Sequence, residues 1–296
     1  MRIVSLLPSA TEILFDLGVG DAVVGVTFEC DHPAEARDRR IVSTSALPEG
    51  LSPAEIDAVV KERMAAGEDL YRLAEGAFAD IDPTLVVTQD LCAVCAVDVS
   101  EVDQALEHLA CRAEVVTLDP HTLDEVIDSI ETAGRATGTG ERAAEITAGL
   151  RQRVAELANR LEGVERPAVV VLEWTDPAFT AGHWVPDLVE AGGGECVLGE
   201  PGGHSVGVEW QTVADSGADI VVVSPCGYRL DGAAALGEEL LDRDVLPPTA
   251  QVWAIDADHY MVRPGPRVVD GAETLATIFH PDVMGQPDSK RARRLR

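Results

Sequence analysis

Lysine is almost absent from this chain, since Lys61 and Lys290 are the only two. Lysine and arginine together number 23 against 52 aspartates and glutamates, and the formal net charge is -29 at pH 7. Like charges repel over a Debye length, so this composition argues against nucleic acid or an anionic membrane as a partner. An acidic, lysine-poor surface is typical of halophile proteins, and an ordinary acidic protein is the alternative.

Long apolar runs are also lacking. A membrane-spanning helix needs roughly 20 consecutive apolar residues, and no run approaches that length, so we expect no membrane insertion. The apolar run within residues 1–10 is too short for a signal peptide, and helical spacing follows at once from Thr11. We therefore expect a cytoplasmic protein, in which six cysteines serve metal binding or catalysis rather than a disulfide framework.

Catalytic signatures are missing as well. No Ser-His-Asp order, P-loop or GxGxxG motif follows a strand as those motifs require. The glycine run at residues 192–194 ends a predicted helix instead of starting one, so it is unsuited to cradling phosphate. The sequence therefore indicates a binding protein without catalytic residues.

Short apolar runs alternate with helical patterns along most of the chain, as expected of a parallel α/β fold. Strands are predicted to begin at residues 3, 23, 85 and 113 in a first lobe and at residues 168, 218 and 252 in a second. Residues 122–162 are helical nearly throughout, and residues 141–161 would span roughly 30 Å. The predicted fold class is α/β: two parallel-sheet α/β lobes joined by a long bridging helix, with a ligand cleft between the lobes.

The same pattern sets the expected domain boundaries. An N-terminal α/β lobe covers residues 1–120, a helical connector covers 121–165, and a C-terminal α/β lobe covers 166–285. The basic, polar residues 286–296 are expected to be a disordered tail.

Four of the six cysteines come directly after a predicted strand: Cys30, Cys92, Cys95 and Cys226. Thiolates are soft ligands, and four of them suit zinc or an iron–sulfur cluster. The alternatives are small buried hydrophobic residues and, less favoured, a redox dithiol at the CxxC pair. The two remaining cysteines, Cys111 and Cys196, are expected to be packing residues.

Aromatic residues are scarce, at 4% of the chain, yet several stand at predicted strand ends. They are Trp174, Trp184, Tyr228 and Tyr260. Aromatic side chains in a cleft suit a large planar or apolar ligand, and core packing is the alternative role for each. Trp210 and Trp253 lie inside predicted elements and are expected to belong to the core.

Polar residues at strand ends complete the candidate ligand-binding set. Ser9, Glu29 and Gln89 follow strands of the first lobe. Ser9 either caps the first helix, with Glu12 at the capping-box spacing, or contacts a ligand. His183 is either a ligand to a metal centre or a surface hydrogen-bonding group.

Two arginines, Arg263 and Arg267, flank a Pro-Gly-Pro turn just before the last predicted helix. They either hold an acidic group of a ligand or pair with the abundant carboxylates of this chain, and we favour the ion pairs. Arg263 is included in the candidate ligand-binding set.

Several stretches resemble the helical-backbone periplasmic binding proteins: residues 5–13 (SLLPSATEI), 85–89 (LVVTQ), 181–186 (AGHWVP) and 263–267 (RPGPR). The chain is most similar to the branch of ABC-importer proteins that binds vitamin B12 (cobalamin) and iron complexes. The resemblance covers residues 1–284 and implies two α/β lobes, a stiff linking helix and a ligand cleft. It also implies a small-molecule metal chelate, cobalamin or a related corrinoid, as ligand and an ABC permease as partner.

The cysteines depart from this family, because ordinary members do not need them to hold a corrinoid. Members are also usually periplasmic or on the cell surface, whereas this chain resembles a cytosolic subgroup. The rival hypothesis is therefore a cytosolic metal or iron–sulfur protein, with an enzymatic role left open, in which the four sulfurs surround one common point.

Overall fold

The computed structural model describes residues 1–48, 50–66, 68, 70–73, 80–89 and 113–296. The chain folds into two compact units. The N-terminal unit comprises Met1–Pro120 and Ile127–Thr147, and the C-terminal unit comprises His121–Val126 and Ala148–Arg296.

The described strands of the N-terminal unit are β1 (Ile3–Ser5), β2 (Val23–Val26), β3 (Arg40–Ile41), β4 (Ser43–Ser45), β5 (Tyr71–Leu73), β6 (Leu85–Thr88) and β7 (Glu114–Thr117). Five of them form a parallel sheet in the order β3-β2-β1-β6-β7, and β4 pairs with β5 antiparallel. The central strands β1 and β6 are fully buried and almost entirely apolar. Such continuous apolar runs are typical of parallel strands with both faces covered.

Among the described residues of the first half of the chain, four α-helices begin: α1 (Pro8–Asp16), α2 (Pro53–Ala66), α3 (Leu123–Thr137) and α4 (Gly140–Arg160). The break between α3 and α4 includes Gly138 at φ 72°, a left-handed conformation that glycine adopts without strain. The predicted interrupted helical segment is confirmed. The chain passes from one unit to the other after Pro120, after Val126 within α3 and after Thr147 within α4.

The starts of α1 and α2 differ in how they are capped. Ser52 and Glu55 form a reciprocal cap before α2: the Ser52 N–H donates to the Glu55 carboxylate at 2.8 Å, and the Glu55 N–H donates to Ser52 Oγ at 3.4 Å. The capping role predicted for Ser9 is wrong. Leu7 is the N-cap residue of α1, and Ser9 lies inside the helix. Proline is favoured in the first turn, so Pro8 starts the helix two residues earlier than a Ser9 cap would have.

The described strands of the C-terminal unit are β8 (Ala168–Thr175), β9 (Ala178–Thr180), β10 (Glu195–Cys196), β11 (Gly207–Val208), β12 (Ile220–Val223), β13 (Gln251–Ile255) and β14 (Ala292–Arg294). They form one sheet in the order β11-β9-β8-β12-β13-β14, with β10 beside β8. The central strands β8, β12 and β13 are parallel. The predicted fold class, with a parallel α/β sheet in each half of the chain, is confirmed.

Alternate residues of the central strands point to opposite faces, and both faces are buried. Val170 and Leu172 pack with Val221 and Val223 in one core cluster, and the intervening Val171 is also fully buried. The strands hold few polar side chains because neither face meets water.

The helices of the C-terminal unit are α5 (Val185–Ala191), α6 (Trp210–Ala214), α7 (Leu230–Asp242), α8 (Ala257–Tyr260), α9 (Val268–Phe279) and α10 (Pro281–Met284). Helix α9 begins directly after Arg267, where the last predicted helix was expected. The sequence pattern gave no prediction for α7, whose Leu236 and Leu240 face the core. No helix in the described part of the chain is long and apolar enough to cross a membrane.

The prediction of a disordered tail is wrong. Residues 292–294 form β14, which pairs antiparallel with β13. Arg293 donates to the Asp231 carboxylate at 2.7 Å, and the Arg296 Nε donates to the Ala250 carbonyl at 3.0 Å. The arginines of residues 286–296 therefore have hydrogen-bond acceptors in the rest of the chain, and Leu295 packs against the core. For this reason the basic segment is ordered despite its composition.

Candidate functional site

The parallel strands β8, β12 and β13 bring their carboxyl ends to one edge of the sheet in the C-terminal unit. We call residues 173–176, 224–228 and 256–263 at this edge the C-terminal rim. The Cys226 N–H donates to the Glu173 carbonyl at 3.0 Å, and the Asp258 N–H donates to the Tyr228 carbonyl at 3.1 Å. Backbone hydrogen bonds therefore join the three segments in a row. Ligands of open α/β sheets bind at such edges, which makes the rim the candidate site.

Two of the predicted aromatic residues, Trp174 and Tyr228, contact each other on this rim. Their ring centroids are 5.9 Å apart at an interplanar angle of 65°, an edge-to-face geometry that is favourable for aromatic pairs. The Trp174 N–H donates to the Asp176 carbonyl at 3.2 Å. Burial raises the pKa of Tyr228, and the charge of Glu239 adds to the rise. The pair thus offers a half-buried aromatic corner with a neutral phenol.

A charged group adjoins this corner. Arg263 donates to the Asp258 carboxylate at 2.9 Å, and the side chains of both residues are only 10% and 15% exposed. Arg229 approaches the same carboxylate at 3.8 Å. Arg263 is therefore engaged in the ion pair that the sequence analysis favoured. Two arginines around one carboxylate leave positive charge for an acidic or amide-bearing ligand.

Tyr260 lies at the end of α8, where its ring contacts cations. The guanidinium groups of Arg291 and Arg267 lie 4.8 and 5.9 Å from the ring centroid. Asp256 caps α8 by accepting from the His259 N–H at 3.1 Å, and it also contacts His259 Nδ1 at 2.8 Å. The rim is therefore a rigid, hydrogen-bonded surface at its third segment.

Not every predicted aromatic residue faces outward. Trp184 is 5% exposed, and its indole N–H donates to the Met261 carbonyl at 2.7 Å, so it packs within the C-terminal unit and leaves little surface for a ligand. Trp210 packs against the core and carries Arg243 over its ring at 4.9 Å. The core role predicted for Trp210 is confirmed. Trp253 is half-buried in β13, and its N–H donates to Gln251 at 3.3 Å.

In the N-terminal unit, Cys30 lies in a buried polar cluster at the ends of β1 and β2. Its sulfur is 3.0 Å from the Thr11 hydroxyl and 3.1 Å from the Thr27 hydroxyl. Thr11 also contacts the Ser5 hydroxyl at 2.8 Å. The strand-end position predicted for Cys30 is confirmed, and the two hydroxyls place it in polar rather than purely apolar surroundings.

The other predicted polar residues of this unit occupy three different segments. Ser9 is 2% exposed within α1, and Gln89 is 5% exposed just after β6. Glu29 is half-buried beside Cys30. The predicted positions of these residues after β1, β2 and β6 agree with the topology, in which the carboxyl ends of the three strands lie at the same edge of the parallel sheet. Their contact with a ligand stays a prediction.

The CxxC pair Cys92 and Cys95, like Cys111, lies outside the described residues. The four-cysteine site therefore stays a prediction. Cys226 is half-buried on the C-terminal rim. Cys196 lies in β10, where burial raises the pKa of its thiol to about 11, consistent with the packing role expected for it.

Sequence reasoning missed two kinds of residue. Glu173 was not selected, yet its carboxylate accepts from the Gly182 N–H at 2.9 Å and fixes the loop that carries His183. His121 and His204 were also overlooked, although their rings contact His183. Both histidines follow turn signals instead of strands, and no spacing rule links positions so far apart in the chain.

A family model described as "Periplasmic binding protein" matches residues 3–247, which is most of the chain. The chain belongs to the periplasmic binding protein family. The family resemblance seen in the sequence motifs is thereby confirmed.

The relatives of this periplasmic binding protein include a "Cobalamin-binding protein" from Halobacterium salinarum, 26% identical over 94% of this chain and 69% of the relative. Among solved structures, a periplasmic vitamin B12-binding protein of Vibrio cholerae matches with a TM-score of 0.65 at 22% identity, covering 93% of this chain and 95% of the other. A periplasmic heme-binding protein from Pseudomonas aeruginosa matches with a TM-score of 0.71 at 19% identity, covering 99% and 97%. These structural likenesses show a shared fold.

Proposed function

We propose that this periplasmic binding protein binds a corrinoid, cobalamin or a related metal chelate, and presents it to an ABC permease. The observation that carries the proposal is the Trp174–Tyr228 aromatic corner beside the Arg263–Asp258 pair on the C-terminal rim. The names of the curated relatives support the choice of ligand.

The chemistry of the rim suits such a ligand. A corrin is a broad ring whose faces are apolar and whose edge carries amide groups. Trp174 and Tyr228 would contact the ring, since half-buried aromatic side chains bind apolar faces. The arginines around Asp258 would donate hydrogen bonds to the amide oxygens at the edge. Ser9, Glu29, Gln89, His183 and Tyr260 complete the proposed ligand-binding set.

Isothermal titration calorimetry with cyanocobalamin and with cobinamide tests the proposal, and hemin is the comparison ligand. We expect saturable binding of one corrinoid per chain. Trp174→Ala should weaken binding by more than about tenfold, because truncating an aromatic anchor typically removes more than about 1.4 kcal/mol. Trp253→Ala is the control, since this indole lies within β13 away from the strand's carboxyl end.

No heat and no visible spectral change with either corrinoid at high micromolar concentration would contradict the corrinoid assignment. If the protein bound hemin and neither corrinoid, the ligand would have to be reassigned to a different tetrapyrrole. If Trp174→Ala and Trp253→Ala weakened corrinoid binding equally, with unchanged melting temperatures, the Trp174–Tyr228 corner would not be the binding surface.

A second candidate function is a zinc or iron–sulfur site built from Cys30, Cys92, Cys95 and Cys226. The polar surroundings of Cys30 favour it over purely apolar packing, because two threonine hydroxyls lie 3.0 and 3.1 Å from its sulfur. Anaerobic purification followed by metal analysis and a visible spectrum is the test. A colourless protein without zinc or iron, unchanged by Cys92→Ala, would exclude this site.

A further inference from the structure

Three histidines of the C-terminal unit, His121, His183 and His204, form a cluster on three separate segments. Their ring centroids are 5.3 Å apart for His183–His204, 5.9 Å for His121–His183 and 6.3 Å for His121–His204. His121 and His183 are half-buried, and His204 is exposed. All three rings therefore contact one another at a place that solvent reaches.

The two loops that carry His183 and His204 are fastened to each other by their backbones. The His183 N–H donates to the Gly203 carbonyl at 2.5 Å, and the Gly202 N–H donates to the His183 carbonyl at 3.0 Å. A side chain at Gly182 would overlap the backbone of Ser205, so glycine permits this close approach. The spacing between the two imidazoles is thus set by paired main chain rather than by mobile loops.

The segment that carries His121 is also anchored in the C-terminal unit. The Leu123 N–H donates to the Asp187 carboxylate at 3.1 Å, and Asp187 lies in the first turn of α5, directly after His183 and Trp184. The His121 N–H donates to the Glu125 carboxylate at 2.6 Å. These bonds anchor the segment that carries His121 to the same unit as His183 and His204.

The backbone of His183 is held in an uncommon conformation. Its φ is 51°, in the left-handed region that a residue with a side chain rarely adopts. Such strain persists only where the surrounding structure enforces it, and it concentrates at functional sites. Here the backbone bonds to Gly202 and Gly203 hold His183 in this conformation, and its ring lies beside those of His121 and His204.

We propose that His121, His183 and His204 bind one divalent transition-metal ion through their imidazole nitrogens. Neutral imidazole is a preferred ligand of zinc, nickel, copper and cobalt, and three of them are a recurrent set. The proposed function uses only His183 of these three residues, as a member of the ligand-binding set, and the metal site does not depend on that role because it needs only residues of the C-terminal unit.

The ring centroids lie somewhat farther apart than those of three imidazoles bound to one ion. With a metal–nitrogen distance of about 2.0–2.1 Å, two imidazoles on a tetrahedral ion have their centroids roughly 5.2 Å apart. The closest pair is 5.3 Å apart and the widest 6.3 Å, so loading requires ring rotation and an approach of about 1 Å. The fourth position would be open to water or to an incoming ligand.

The charges around the cluster also favour a cation. Asp124, Glu125 and Glu190 lie close enough to Asp187 to raise its pKa, although burial is the larger cause. The whole chain adds a formal net charge of -29. A negative potential raises the local concentration of cations and speeds their capture.

Titration of the metal-free protein with Co²⁺ and with Ni²⁺, followed by calorimetry and by the visible spectrum, tests the proposal. We expect one ion per chain, bound with micromolar affinity, and cobalt d–d bands without a thiolate-to-cobalt charge-transfer band. His204→Gln and His121→Gln should each weaken binding by more than about tenfold, since even loss of a residue that supports a metal ligand costs 10–100-fold. His183→Asn should do the same, because asparagine tolerates the left-handed backbone and supplies no imidazole.

His32→Gln is the matched control, because His32 is exposed in the N-terminal unit and belongs to no part of the cluster. Its affinity should equal that of the unaltered chain. A charge-transfer band from sulfur, or equal weakening by His32→Gln and His204→Gln, would overturn the proposal. So would millimolar affinity in the unaltered chain. Corrinoid titration of the same metal-free protein is a separate measurement, so failure of the metal site and failure of the proposed function are distinguishable.

Discussion

At the scale of single residues, Asp187 shows how one carboxylate joins two distant parts of the chain. It accepts the Leu123 N–H at 3.1 Å while its side chain is half-buried. Burial raises the pKa of this carboxyl, and the nearby charges of Glu190, Asp124 and Glu125 add to the rise. The ionised form is therefore less favourable in the folded protein than in the unfolded chain.

We expect Asp187→Asn to stabilise the protein at pH 7. A carboxyl with a raised pKa contributes stability below its unfolded pKa of about 3.9, and this contribution is lost as pH rises through the folded pKa. Asparagine keeps the oxygen acceptor for Leu123 without the charge. The gain should stay below about 1 kcal/mol, since solvent screens a half-exposed group, and it should vanish toward pH 3. Thermal unfolding between pH 3 and pH 8 measures it.

Asp219→Asn is the control for this prediction. Asp219 accepts the Ala168 N–H at 2.9 Å in the same manner, but it is exposed. The control changes net charge equally, so any gain specific to Asp187 reflects burial. A lower melting temperature for Asp187→Asn at pH 7 would show that the charge stabilises the start of α5 more than burial penalises it.

At the scale of helices and strands, the second half of α4 is held to α9 by one arginine. Arg153 donates to both carboxylate oxygens of Glu273, at 2.8 and 2.6 Å, and to Asp270 at 2.6 Å. These bonds raise the pKa of the guanidinium, with Glu273 as the largest cause. The planar fork of arginine matches a carboxylate in a way that the ammonium of lysine cannot.

We expect Arg153→Lys to destabilise the protein by about 1 kcal/mol, because the charge remains while the two-point geometry is lost. The loss is modest since the Arg153 side chain is 35% exposed. Arg151→Lys, on the exposed face of the same helix, should change stability by less than about 0.5 kcal/mol. Urea unfolding of both variants gives the comparison. Equal stability of the two variants would mean that the two-point hydrogen bonding of the Arg153 guanidinium adds nothing beyond its charge.

The strands, and the residues at their carboxyl ends, could be predicted from the sequence. Continuous apolar runs such as β12 allow only a buried parallel strand, and the rule that ligands bind at strand carboxyl ends led to Trp174 and Tyr228. The two residues contact each other because β8, which contains Trp174, and β12, which Tyr228 follows, are neighbours in the sheet. The sequence pattern was therefore sufficient for the sheets and for the aromatic half of the candidate site.

Contacts that depend on packing or on loop geometry were not predictable. Trp184 satisfies its N–H inside the C-terminal unit, a fact that no periodicity encodes. The histidine cluster brings a residue before α3 beside two loops more than 60 positions later, and backbone bonds at glycines join those two loops to each other. The basic composition of residues 286–296 also led to a wrong prediction of disorder. Residues 292–294 form the ordered strand β14, and arginine side chains of this segment find hydrogen-bond acceptors.

At the scale of the whole molecule, family membership and net charge are the two dominant features. The family match extends over residues 3–247, across both units. The charge does not follow from the fold, because it comes from 52 acidic residues against 23 basic ones. A net charge far from zero opposes compaction through self-repulsion. Added salt should therefore change the stability of this protein by screening its net charge, whichever ligand the protein binds.

We expect the melting temperature to rise between about 0.05 and 1 M KCl, as the Debye length falls toward about 3 Å. Each kcal/mol of relieved repulsion should raise it by about 2–4 °C in a chain of this size. Scanning calorimetry at a series of KCl concentrations measures the rise. NaCl should act equally, and a neutral osmolyte such as sucrose should not reproduce the steep part of the curve, since only ions screen charge. A melting temperature that is constant or falls over this range would show that acidic groups are already balanced by local arginine pairs such as Arg153 with Glu273.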